Sequence, residues 1–99
     1  MTIKDKIKIV VNALEDKKAE NVTIIDIHEI SFLADYFVIA NGSNINQVQA
    51  MADNVSEELA KIGQNNKKTE GYQSGNWILM DYNDFIVHVF DKESRSFYD

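Results

Sequence analysis

From Ile3 to Leu14 the apolar residues Ile3, Ile7, Val10, Val11 and Leu14 recur at steps of three and four, the spacing of one apolar helix face. Thr2-Ile3-Lys4-Asp5, just ahead of that stripe, has the form of a capping box. The Thr2 hydroxyl and the Asp5 carboxylate are available to the free amides of a first turn. The polar stretch DKKAEN ends the pattern, and the β-branched run Val22 to Ile27 predicts a strand. SFLAD reads as a turn or short helical bridge into Tyr36 to Ala40, a nearly all-apolar strand of the buried kind. Both strands are expected to be central in a sheet. A second helix starts at Ser43 or Asn44, carries Ile45, Val48, Ala52, Val55, Leu59 and Ile62 on one side, and takes Gly63 as its C-terminal cap.

Beyond Gly63 the chain turns polar, with one short edge strand expected near Lys67 to Glu70. WILMDYNDFIVHVF then predicts two strands joined by a tight turn at Tyr82-Asn83 or Asn83-Asp84. In either register an odd-numbered residue of the first strand opposes an even-numbered residue of the second. Trp77, Leu79, Asp81, Ile86, His88 and Phe90 therefore share one face, and Ile78, Met80, Phe85, Val87 and Val89 share the other. The second set is wholly apolar and belongs in the core. DKESRSFYD closes the chain as a short helical start. This alternation points to one α/β domain over residues 1–99, a mixed sheet of about five strands with helices packed on it.

Composition narrows the function. With 99 residues, 44% apolar and 26% charged, the chain has the make-up of a soluble globular protein, and no apolar stretch approaches the ~20 residues that span a bilayer. Nothing in MTIKDKIKIVVNALED resembles an export signal, so a cytoplasmic location is expected. The absence of cysteine excludes disulfides, thiolate catalysis and the usual structural zinc sites. A net charge of −6 opposes phosphate backbones, so a basic protein is a more natural partner than bare nucleic acid.

An apolar strand, a Gly-Ser turn and a helix, here YFVIA-NGS-NINQVQA, is how nucleotidyltransferases begin their site. Those enzymes need an acid pair on the following strand to hold magnesium against a triphosphate. The pair is missing: Asp53 falls inside the second helix, with apolar Val55 two places on. No P-loop spacing is present either. Gly42 is more simply the residue that tolerates a sharp strand-to-helix turn. Asp81 and Asp84 bracket the hairpin turn, where acids usually accept backbone amides and stay wet; no metal or other cofactor is expected. His88 lies between Val87 and Val89 with no nucleophile beside it, which suits a partly buried, hydrogen-bonded histidine better than a catalytic one. Trp77, the only tryptophan, shares a strand face with Asp81, and Arg95, the only arginine, lies two residues before Phe97. Such residues dominate protein contacts, and a protein partner is expected there.

The stretches DYFVIANG, QVQAMAD, EGYQSGNWILMDYNDFIVHVF and ESRSFYD resemble the Iojap family, the ribosomal silencing factors, in order over nearly the whole chain. The resemblance implies a nucleotidyltransferase-like α/β fold without catalytic acids. It also implies a protein that binds the large ribosomal subunit through the basic ribosomal protein L-fourteen, blocks subunit joining and lowers translation when nutrients are scarce. Carried onto this chain, it assigns Trp77, Asp81, Asp84, Arg95 and Tyr98 to the contact. Family members continue past the tyrosine with a Leu-Glu-x-Leu-Trp-like segment whereas this chain stops at Asp99, so a shortened tail is expected. Two other functions remain open at this level: a small nucleotide-binding enzyme using the Asn41 to Asn44 turn, and a homodimeric interaction module.

Overall fold

A computed structural model of the protein describes residues 1–32 and 34–98, the side chains of residues 96–98 excepted. The capping box forms as its spacing predicts. Asp5 N–H donates to Thr2 Oγ1 (3.2 Å) and Thr2 N–H to Asp5 Oδ2 (3.1 Å), opening α1, Ile3–Asp16. These bonds hold the Asp5 carboxyl below the usual range. Six further elements run β1 (Glu20–Asp26), β2 (Tyr36–Gly42), α2 (Ile45–Ala60), β3 (Lys68–Glu70), β4 (Trp77–Asp81) and β5 (Phe85–Asp91), and α3 (Lys92–Tyr98) closes the chain. The strands form one mixed sheet in the order β1-β2-β5-β4-β3. Only β2 and β5 are parallel; the other neighbours are antiparallel.

The helix stripes find their seat on one face of this sheet. Ile7, Val10 and Leu14 of α1 and Val48, Met51, Val55 and Leu59 of α2 bury against Val38, Ala40, Ile78, Met80, Phe85, Val87 and Val89. Each fully buried side chain of this size contributes about 1.5–3 kcal/mol, which makes this layer the main source of stability. Asn44, the second of the two predicted starts, caps α2 by accepting from Gln47 N–H at 2.8 Å. At the other end Gly63 N–H reaches Ala60 O (3.0 Å) and Gln64 N–H reaches Leu59 O (2.9 Å), the paired bonds of a Schellman cap. Ile62, assigned to the stripe by spacing, lies past the helix and is exposed.

The hairpin takes the second of its two predicted turns. Tyr82 N–H donates to Phe85 O at 3.0 Å, with Asn83 and Asp84 between them and Asn83 at φ +76°. Trp77 pairs with Phe90, Leu79 with His88 and Asp81 with Ile86, as parity required. One expectation is corrected. β2 is central, but β1 is an edge strand, interrupted by a bulge near Asn21 (φ +51°), with Ile24 and Ile25 both exposed. The parallel β2–β5 ladder occupies the other side of β2 and leaves β1 at the margin.

Tyr82 turns into the core and stacks on Phe85 with ring centroids 5.2 Å apart. Burial pushes its phenol up to about 12, against about 10 in an unfolded chain. A raised phenol favours the folded state while it stays neutral, so its contribution is complete below pH 10 and disappears as pH rises through 12. Urea midpoints are expected to fall in that alkaline window. In Tyr82→Phe the part of the fall due to this residue should vanish.

Candidate functional site

The Gly-Ser turn comes first, because a nucleotide site would be built there. Part of its hydrogen-bonding capacity is already used by the chain's own side chains. Ser43 N–H donates to Gln47 Oε1 (2.6 Å), and Gln47 Nε2 donates to the carbonyls of Lys17 and Lys18 (3.0 Å each), tying the start of α2 to the end of α1. Gly42 owes its place to close packing rather than to an unusual turn. A Cβ there would meet Met51 Sδ at 3.1 Å and Gln47 Oε1 and Val48 Cγ2 at 3.2 Å, and its φ lies outside the left-handed region. Asp53 accepts from the Tyr72 hydroxyl at 2.9 Å. Among the described residues no three His, Cys, Asp or Glu side chains converge as a metal site.

The other sheet face has different chemistry. Cross-strand register places Thr23 and Ile25 of β1, Phe37 and Ile39 of β2, Ile86, His88 and Phe90 of β5, Trp77, Leu79 and Asp81 of β4, and Lys68 and Glu70 of β3 on the side away from α1 and α2. His88 lies at its centre, with only 8% of its surface exposed. Trp77 Nε1–H donates to His88 Nδ1 at 3.1 Å, so the imidazole proton resides on Nε2, which is buried without a hydrogen-bond partner. Burial lowers the imidazole's affinity for a second proton and keeps it neutral. Phe37 meets the ring edge-on at 4.7 Å, and the Trp77 indole stacks on Phe90 at 5.3 Å. The indole nevertheless remains 38% exposed. It is a fixed aromatic plate with one side toward solvent.

What fixes it is the 71–76 loop. Gln49 Nε2 holds the Tyr72 carbonyl at 2.8 Å, the Tyr72 hydroxyl holds Asp53, and Gly75 N–H closes the loop on Gly71 O at 3.1 Å. The loop is thereby strapped to α2, and β4 begins at Trp77 directly after it.

The predicted contact residues divide. Trp77 and Asp81 lie at opposite ends of β4 on the same face, about 13 Å apart at strand rise. Asp84 lies just beyond, in the turn, where its carbonyl accepts from Asp35 N–H at 2.8 Å. Arg95 is turned toward the chain itself. Its guanidinium donates to Asn41 Oδ1 and Thr23 Oγ1 (3.1 Å each) and to the Asn21 carbonyl, pinning α3 across the bulge of β1 and the end of β2. The side chain of Tyr98 lies outside the described residues. Phe37, Ile39 and Ile25 went unnoticed in the sequence, because only the long-range pairing of β2 with β1 and β5 brings them to this face.

Arg95→Ala is expected to lower stability by about 1.5 kcal/mol in urea unfolding, since it removes charge-assisted bonds and leaves the buried Asn41 side chain with fewer partners. Arg95→Lys should recover little of this, because an ammonium cannot span three acceptors in the guanidinium's fork.

Comparison with known proteins bears on what such a face is for. The family model described as "Ribosomal silencing factor during starvation" matches residues 1–99. Ribosomal silencing factor RsfS of Bacillus subtilis is 41% identical over 98 residues, covering 99% of this chain and 83% of that protein. The crystal structure of a Chromobacterium violaceum protein superposes with a TM-score of 0.97 at 33% identity, covering 100% of this chain and 82% of the other. More distant is the mouse protein named "Mitochondrial assembly of ribosomal large subunit protein 1", 25% identical over 100 residues, with 94% of this chain and 42% of that protein covered. With its whole length matched by the family model and its fold shared with a solved relative, the chain belongs to the ribosomal silencing factor family.

Proposed function

We propose that this protein is a non-enzymatic repressor of translation in the cytoplasm. It docks on the large ribosomal subunit through ribosomal protein L-fourteen and sterically blocks joining of the small subunit when nutrients are scarce. The observation that carries this is the exposed part of the sheet face away from α1 and α2: Trp77, fixed and partly open to solvent at one end of β4, and Asp81 and Asp84 at the other, on a chain of net charge −6. An exposed indole with carboxylates along the same strand, on an acidic chain, suits a basic protein partner better than bare RNA. The mouse relative's name, which refers to the ribosomal large subunit, supports the same direction. The turn at Gly42 to Asn44 acts as a helix cap closed by Gln47, so a bound nucleotide would have to displace bonds the fold already uses.

The test is a reconstitution with purified ribosomal subunits and no other factor. The protein should travel with the large subunit in a sucrose gradient, and the joined-particle peak should shrink as protein is added. An unchanged peak at saturating protein would overturn the mechanism. Failure to travel with the large subunit would overturn the docking itself.

A further inference from the structure

The turn between β1 and β2 holds two large apolar side chains in water: Ile30 is 84% exposed and Phe32 fully so. Residues on both sides of these tips are nonetheless fastened by backbone bonds. Ile30 and Ser31 N–H donate to Ile27 O (3.0 and 2.9 Å), Ile27 N–H to Asp35 O (2.8 Å), and Asp35 N–H to Asp84 O of the β4–β5 turn (2.8 Å). Behind it, Ile27, Ala34 and Ile86 form a small buried cluster with Phe37 and Leu79 packed against it. Phe37 in turn touches His88, and His88 touches Trp77. Apolar and aromatic packing therefore links Trp77, through His88 and Phe37, to the buried cluster behind this turn.

The charge around this turn is mainly negative, with His28 paired to Asp26 and near Glu29. Asp26, Glu29, Asp35 and Asp84 surround the two apolar tips, and the sequence has no lysine or arginine between Lys18 and Lys61 or between Lys68 and Lys92. Lys4 of α1 lines a cleft with Asp26, His28 and Asp35. Beside Phe32 a notch of about 170 Å³, lined by Ser31, Ala34, Asp35, Asn83 and Asp84, has room for the head of one basic side chain. A second copy of this chain would bring the same four carboxylates against each other, so self-pairing here is electrostatically opposed.

We propose that Ile30 and Phe32, with the carboxylates of Glu29, Asp35 and Asp84 beside them, are a second foot of the docking face, seated on a cationic protein loop that carries an apolar residue among its lysines or arginines. The proposal rests on the large-subunit docking stated above. It adds a contact that neither Trp77 nor the hairpin provides.

Cosedimentation with purified large subunits separates the two claims. The double variant Ile30→Ser/Phe32→Ser changes only exposed positions and should keep the parent's Tm while binding tenfold or more weakly. Glu29→Lys, at a side chain 83% exposed, should bind several-fold more weakly and with a shallower dependence on salt. If the double variant pellets like the parent while Trp77→Ala does not, the second foot is overturned and the docking reading stands. If the parent itself fails to pellet, both fall. If the double variant differs from the parent only by losing self-association in sedimentation velocity, the turn joins copies of this chain, and the proposal is again overturned.

Discussion

Trp77→Ala is expected to weaken binding to isolated large ribosomal subunits by about 2 kcal/mol or more, roughly 30-fold, because a central aromatic anchor held in one orientation is the kind of residue that dominates an interface. The indole is held on three sides. Phe90 stacks beneath it, His88 accepts its N–H, and the strapped 71–76 loop sets where β4 begins. Little ordering entropy is left to lose on docking, so most of its contact area should count toward affinity. Truncation also unpairs His88 Nδ1, and a conformational loss must be separated from a lost contact. Trp77→Phe serves for that: it keeps an aromatic plate on Phe90 and removes the N–H, and its binding should fall between parent and alanine variant. A folded Trp77→Ala protein that cosediments like the parent would move the interface to another surface.

The two faces of the hairpin were legible in the sequence because strand periodicity and turn parity are local rules, and both permitted turns assign the same residues to the same side. The capping box and both ends of α2 were legible for the same reason: each cap is a contact within a few residues. The position of β1 was not. Val22 to Ile27 has the β-branched composition of a central strand, yet strand order follows from β2 pairing with β5 some 49 residues later, which no local pattern encodes. Arg95 is the clearest case within the candidate site. Its lone occurrence near the aromatic tail suggested a contact residue, whereas its hydrogen-bond partners Asn21 and Thr23 lie 74 and 72 residues away, and nothing near Arg95 announces them. Gly42 was expected from its neighbourhood, but for a different reason: the constraint is the close approach of α2, a tertiary contact, and not the turn's own backbone.

Gly71→Ala should be the most damaging of the chain's glycine-to-alanine changes, lowering stability by about 3 kcal/mol or more in urea unfolding. Two penalties add at this position. Gly71 has φ +79°, where a Cβ costs about 1–2 kcal/mol. That Cβ would also be 2.1 Å from the Trp77 carbonyl oxygen, and overpacking against rigid structure costs a further 1–3 kcal/mol. The obstructing atom is backbone, so no rotamer change can relieve the contact; either the loop or the first residue of β4 must move. Gly75→Ala makes the comparison sharp. There φ is +68° and the new methyl meets Ile45 Cγ2 at 2.4 Å, but that atom is the end of a half-exposed side chain that can rotate away. The smaller loss, mainly the backbone strain of about 1–2 kcal/mol, is expected. Because Gly71 abuts Trp77, the proposed anchor, its alanine variant should also lose large-subunit binding at temperatures where it is still folded, whereas Gly75→Ala should lose little. Equal losses of binding in the two variants would mean that the loop does not set the position of Trp77.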